Sequence, residues 1–411
     1  MHSIARLVSA GSLAALVVAG CSSSNSQDTA STLRGPLTTA PSACTGAALR
    51  PFAAPADPGP GGLLVTVSGE AFAPEGYDFK PGTSKAEDPA FVDGWSITYA
   101  HLIVSVDRVL VSENPDADPN DQLKTGAPVA QADGPWAIDL AHPSSRAAVG
   151  KGGAPEKAEP LVALSTKSLT GGGAFEPAAK YAFGFETVAA QACAIDVNLD
   201  EQGRALWAEM VQKGYVVYYE GTATYEGDAA CTKQGNADFS VLPPKVHFKL
   251  GFKSPTDYVN CQNPDLEGPP ANAFEEKPRG VQVKQNAATA VQITFHADHP
   301  FWDTLSHGAP MHFDPIAAIA RGAGPGGPEV TTEALAVQDV AGFRLPDGKA
   351  MAPRSCVSDF QPLAGTQVRF DPSGVAPLAN YAEYMTYSQS TQGHINADGL
   401  CATQRRYTSP R

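Results

Sequence analysis

The chain carries little charge. Asp, Glu, Lys and Arg make up 18% of its 411 residues, against about a quarter in average usage, which excludes coiled coils and long, charged helical bundles. It also lacks any surplus of positive charge. The 29 Lys and Arg stand against 43 Asp and Glu, a net charge of −14, so no nucleic-acid partner is expected. Such acidity supports solubility and favours cationic partners, metal ions among them. Beyond the first residues, no stretch approaches the roughly 18 continuous apolar residues of a membrane-spanning helix. Enzyme signatures are missing as well: there is no His-Glu-x-x-His, Gly-x-Ser-x-Gly, Ser-x-x-Lys or phosphate loop.

What the chain does have is apolar residues at 43%, together with 39 Gly and 35 Pro. That composition can build a core, and it predicts short strands separated by turn-rich loops. Strands are expected at Leu63 to Val67, through Trp95 to Val111 (as two strands or one bent strand), and at Trp136 to Leu140, Leu161 to Leu164 and Tyr181 to Phe185. Further strands are expected at Tyr215 to Tyr225 and Lys245 to Phe252. In the last, His247 falls on the outward face. A helix should follow Asp200 as N-cap and end at Gly214, with Ala205, Leu206, Met210 and Val211 as its apolar stripe. A hairpin of Val281–Val283 against Val291–Phe295, a short helix capped by Asp314 before Pro315, and a helix from about Leu378 to Ser388 complete the pattern. The expected fold is mainly β: an antiparallel β-sandwich over 62–265, with a few short helices and a smaller α+β part over 266–411 packed on it.

The N-terminal end reads as a targeting segment. Arg6 and the short apolar run Leu7 to Val18 resemble a signal peptide over 1–20. Val18-Ala19-Gly20-Cys21 then resembles the lipobox of bacterial lipoproteins. That resemblance implies cleavage before Cys21 and an acyl anchor on its thiol, strong enough to hold the chain on a membrane. Residues 21–61, rich in Ser, Thr, Pro and Ala, read as a flexible linker. Ser22 after the cysteine, by analogy with enterobacterial sorting, points to the outer membrane. The other six cysteines, Cys44, Cys193, Cys231, Cys261, Cys356 and Cys401, suit three disulfides in an oxidising compartment. Six cysteines allow fifteen pairings; proximity along the chain favours Cys231 with Cys261 and Cys356 with Cys401.

Histidine carries the chemical interest. Four of the nine, His296, His299, His307 and His312, fall within seventeen residues. In Phe295-His-Ala-Asp-His299, strand periodicity places His296 and Asp298 on one face, and Pro300 lets His299 turn toward them. A remote partner is His394, in Gln392-Gly-His-Ile-Asn-Ala-Asp-Gly399. Three imidazoles and one carboxylate form a donor set for Zn or Cu. Calcium is not expected. His394-x-Asn396-x-Asp398 has half the spacing of a calcium loop but places Arg405 where the final Glu belongs, and Asp116-x-Asp118-x-Asn120 has Asp121 in place of the turn glycine. The plainer alternative is that these histidines only cap turns. Trp302, Tyr381, Tyr384 and Tyr387 read as core rather than as a stacking platform.

Gly214 to Gly221, Phe295-His-Ala-Asp-His-Pro-Phe301, Phe313-Asp-Pro-Ile-Ala-Ala318 and Gly393 to Cys401 resemble lipoproteins of myxobacterial and related delta-type proteobacteria. In those proteins an acidic calcium-type loop follows the Ile-Ala-Ala helix. Here the stretch from Arg321 to Thr331 lacks those carboxylates apart from Glu329 and the following Glu333. The front half is similar to bacterial extracytoplasmic sandwich domains of the methanobactin-associated copper protein type, without a Trp-x-His signature. The expected function is therefore non-catalytic binding of Zn or Cu through His296, Asp298, His299 and His394 by a lipid-anchored envelope protein. The alternatives are an envelope interaction protein with structural histidines, or a metal-dependent hydrolase using Asp298, Asp303 or Asp314 as base.

Overall fold

Apolar alternation from Trp95 onward yields one strand, Trp95–Glu113, which is the spine of a large sheet. It bends where Arg108 takes a positive φ of 33° and the register slips between Asp107 and Leu110. Strands Trp136–Asp139, Tyr181–Thr187 and Val217–Tyr225 pair with it, and Lys245–Phe252 pairs in turn with Val217–Tyr225. The computed structural model describes residues 44–85, 90–228, 231–233, 237–306, 308–324, 327–360, 367–371, 378 and 380–407. The signal-like segment, Cys21, most of the linker and His307 lie outside the described residues. Among the described residues no helix is long and apolar enough to cross a membrane.

A second sheet of six strands runs in the order Gly399–Leu400, Gly393–Ile395, Thr289–Phe295, Leu63–Ser68, Lys157–Leu164, Ala148–Val149. The sheets are mixed rather than purely antiparallel. Leu63–Ser68 and Thr289–Phe295, more than two hundred residues apart, lie parallel, from Thr289 beside Leu63 to Thr294 beside Ser68. The expected hairpin is also corrected. Val281 bridges to Tyr181, which leaves both edges of Thr289–Phe295 for Leu63–Ser68 and Gly393–Ile395. A parallel neighbour cannot be reached by a tight turn, so local spacing does not reveal it. Ladders join residues on both sides of position 265, including Lys245–Phe252 with Gly327–Thr331.

One apolar core takes Val65, Val67, Ile293 and Phe295 from the smaller sheet and Val104, Phe185, Tyr219 and Phe248 from the larger. Helix Glu201–Lys213 covers another part of the large sheet. Asp200 caps it by accepting from Gly203 N, and Gly214 closes it at φ 71°. Its buried stripe centres on Trp207 and Met210, against Ile103 and Tyr218, with Leu206 and Val211 at the edge. Helix Tyr381–Gln389 starts at the Asn380 cap, later than periodicity alone suggests. Asp314 is the first helical residue rather than the cap, because Arg354 and Trp95 Nε1 hold its carboxylate. His247 is half-buried, 3.1 Å from Thr222 Oγ1.

All six described cysteines form disulfides: Cys44–Cys193, Cys231–Cys356 and Cys261–Cys401. The pairings by chain proximity are thereby overturned, and the ladders give the reason. Thr232 lies opposite Ser355, so Cys231 and Cys356 are the next residues in register. Val259 lies opposite Ala402, which brings Cys261 beside Cys401.

Candidate metal centre

The end of strand Thr289–Phe295 delivers the first donors. His296 follows it directly, and its N–H donates to Gln392 O at 3.1 Å. Asp298 then leads into a single 3-10 turn, His299–Phe301, with Pro300 in its first positions. This turn, rather than continued strand, brings the side chains together. Donor atoms of His296, Asp298 and His299 all lie within 4.8 Å of one another.

His394 arrives from the neighbouring strand. It lies opposite Thr294, so His296 is its diagonal neighbour across the ladder. The His296 and His394 ring centroids are 4.2 Å apart, and His299 stands 5.4 and 5.5 Å from them. A Cβ on Gly393 would fall 2.5 Å from the Tyr258 ring, so glycine before His394 is what lets this strand seat. The three imidazoles sequence reasoning singled out thus converge, each at most 4% exposed. Asp298 is half-buried.

Several contacts fix these rings. His299 Nδ1 is 2.7 Å from Thr391 Oγ1, and its ring lies 4.0 Å from that of Trp302, tilted by 32°. Trp302 is core, as expected, but it also forms a wall of the site: its Nε1 donates to Asp298 Oδ2 at 3.2 Å. His296 Nε2 lies 3.2 Å from Ala397 O. A carbonyl only accepts, so that nitrogen donates to it and Nδ1 is the ring atom turned toward the rest of the cluster.

That Nδ1 faces a residue sequence reasoning missed. Glu70 Oε2 is 3.6 Å away. Glu70 lies two residues after Ser68, the neighbour of Thr294, just as His296 lies two after Thr294. The signal was Ser68-Gly69-Glu70 at the end of a predicted strand, visible only once the parallel pairing is known. Burial pushes the Glu70 carboxyl up to about 7, helped by Asp298, Glu156 and Asp398 and opposed by His296.

The other singled-out residues serve elsewhere. Asp303 bonds His312 Nε2 at 3.2 Å, and Asp314 is held by Arg354. Neither is among the clustered donors His296, Asp298 and His299. Asn396 accepts from Gln292 N and donates to Asn263, while Asp398 is exposed. That half-spacing shapes a turn. Asp118 pairs with Lys124 and accepts from Asn120 N in a solvated loop. Tyr381, Tyr384 and Tyr387 are buried core residues.

A second His/Asp group, unforeseen from the sequence, lies on the large sheet. His101 Nδ1 and His142 Nδ1 both approach Asp139 Oδ2, at 2.6 and 2.9 Å. Asp139 Oδ1 accepts from the N–H groups of Leu102 and Ala141. Burial alone would raise the Asp139 carboxyl, but the two imidazoles outweigh it and hold it down at about 2. The hydrogen bond to Asp139 raises both His101 and His142, against the opposing effect of burial. His296, Asp298 and His299, and likewise His101, Asp139 and His142, have the residue types and spacing to hold a metal ion. No family model, curated protein or solved structure matches this chain.

Proposed function

We propose that this protein binds a transition metal, Zn or Cu, without catalysis, through His296, His299 and His394 with Asp298. The observation that carries this reading is the convergence of three buried imidazoles and a carboxylate from two adjacent strands and one turn. Three nitrogens and one oxygen are a complete tetrahedral set for Zn and suit Cu equally. Ala397 O on His296 and Thr391 on His299 orient the rings in the way outer contacts fix the rings of metal-bound histidines. Asp298 supplies negative charge where water is largely excluded, which favours a cation over an empty cluster.

The scaffold we propose is a β-sandwich, its two sheets facing across the shared core, tethered at the outer membrane through lipid on Cys21. The lipobox-like Val18-Ala19-Gly20-Cys21 and the three disulfides support an envelope location. Replacing Cys21 with alanine should shift the protein from the membrane fraction to the soluble fraction.

Metal loading tests the site. Untagged protein is loaded with Zn or Cu, and bound metal is measured against the His296→Ala and His394→Ala variants. Each variant should lose about one equivalent, with the melting of the metal-free form little changed. A loss below about a tenth of an equivalent would overturn the reading. The histidines would then be structural, and the envelope interaction role would take its place.

A further inference from the structure

The group on the large sheet is independent of the buried centre. We propose that His101, Asp139 and His142, completed by Glu220, form a second and solvent-open site for a divalent transition ion, Zn²⁺ in the first instance. Donor atoms of the first three already lie within 4.8 Å of one another. Glu220 lies directly opposite His101 in the ladder between Trp95–Glu113 and Val217–Tyr225, so the two side chains share a face. Its Oε2 is buried and has no hydrogen-bond partner among the described residues. A buried carboxylate oxygen in that state is costly, and a cation beside it removes the cost.

Charge points the same way. Asp139, Asp200 and Glu220 all act on His101. Of the nearby cations, Arg204 pairs with Asp196, and Lys249, opposite Glu220 in the next ladder, pairs with Glu329 while also feeling the Glu220 charge. Two imidazoles therefore face three carboxylates, a setting that favours a cation. Two nitrogens and two carboxylate oxygens make a four-coordinate set that suits Zn²⁺. The ion takes the place of the protons now shared between Asp139 Oδ2 and the two Nδ1 atoms, so its uptake releases protons. Leu102 N and Ala141 N keep Asp139 in place through Oδ1 as the exchange occurs. The side chains of His101 and Asp139 are almost fully covered, but that of His142 is 51% exposed, giving the ion a way in.

Calorimetric titration of the untagged chain with ZnCl₂, with bound zinc counted by elemental analysis, tests the proposal. The wild type should take up about two equivalents, His142→Ala and His394→Ala about one each, and the double variant about none. Since His142 is exposed, its removal should leave the fold intact, which the melting temperature checks. Glu220→Gln provides a second variant and should weaken this site about tenfold or more without altering the buried one. If His142→Ala and Glu220→Gln both bind zinc as the wild type does, the proposal is overturned. One equivalent in the wild type, lost in His394→Ala alone, would reject this site and keep the buried one. One equivalent lost only in His142→Ala would do the reverse.

Discussion

The two histidine groups differ in how the chain assembles them. In the buried group, His296, Asp298 and His299 sit within four residues at one strand end, and a neighbouring strand adds His394. In the open group, His101, Asp139, His142 and Glu220 come from three strands and a turn, and no two are closer than three residues in sequence. The first depends on one turn and one ladder. The second depends on the register of the large sheet, where Ile103 opposite Asp139 sets the carboxylate diagonally from His101. A site built locally is exposed to the loss of its single remote strand, whereas one built across a sheet is exposed to the loss of its shared carboxylate.

The largest expected effect that separates them comes from the Cys261–Cys401 disulfide, which closes a separation of 140 residues. It ties the segment carrying His394 to strand Thr256–Val259, whose partner is Ala402–Arg405. Replacing both cysteines with serine should cost about 2–5 kcal/mol of stability. It should also weaken metal binding at the buried group while leaving the open group unchanged. Denaturant unfolding and zinc titration check both points. Equal weakening of the two groups would mean that they do not differ in this way.

Removal of the shared carboxylate reverses the contrast. Asp139 receives two imidazole nitrogens and two backbone N–H groups. Asp139→Asn should therefore cost the metal-free protein about 3 kcal/mol, since several buried groups lose a charged partner together. Asp298 is half-buried and receives the Trp302 N–H, which an asparagine oxygen can still accept. Asp298→Asn should cost about 1 kcal/mol or less in the absence of metal. Chemical denaturation without metal measures both, and the comparison breaks if the two costs are alike.

The same difference in assembly explains what the sequence revealed. Local signals were legible: the Asp200 and Gly214 caps, the strands around Trp95, Trp136 and Lys245, and the histidines near Phe295. His394 stood out because it follows a glycine in a loop that ends at a cysteine, and the structure shows that this glycine makes room for the Tyr258 ring. Parallel pairing was not legible, since Leu63–Ser68 meets Thr289–Phe295 without a connecting turn, and Glu70 was hidden with it. The disulfides were misjudged for a related reason. Cys231 is nearer in sequence to Cys261, but the ladder of Thr232 with Ser355 carries it to Cys356. His101 and His142 gave no local density at all, because the sheet register alone brings them together.

The smallest expected effect comes from His312, a buried histidine whose charged neighbours are carboxylates. Burial pushes its pKa down, but the hydrogen bond to Asp303 and the charges of Asp93, Asp303 and Asp314 prevail and raise it. Arg354 faces the same cluster through Asp314. A raised histidine contributes stability that is fully present below about 6.5 and is lost as pH climbs through its folded value. Asp93 acts in the same direction. Burial, together with Asp314, lifts it to about 7, so its ionised form costs stability as pH climbs from about 4 toward neutrality. Melting temperatures between about pH 5 and pH 9 should fall less steeply for His312→Gln than for the wild type. Added zinc should leave that difference in slope untouched, because no second imidazole stands beside His312 among the described residues. A zinc-dependent change in the His312 slope would instead make carboxylates around a single imidazole a sufficient ligand set here, and the contrast between the two histidine groups would lose its chemical basis.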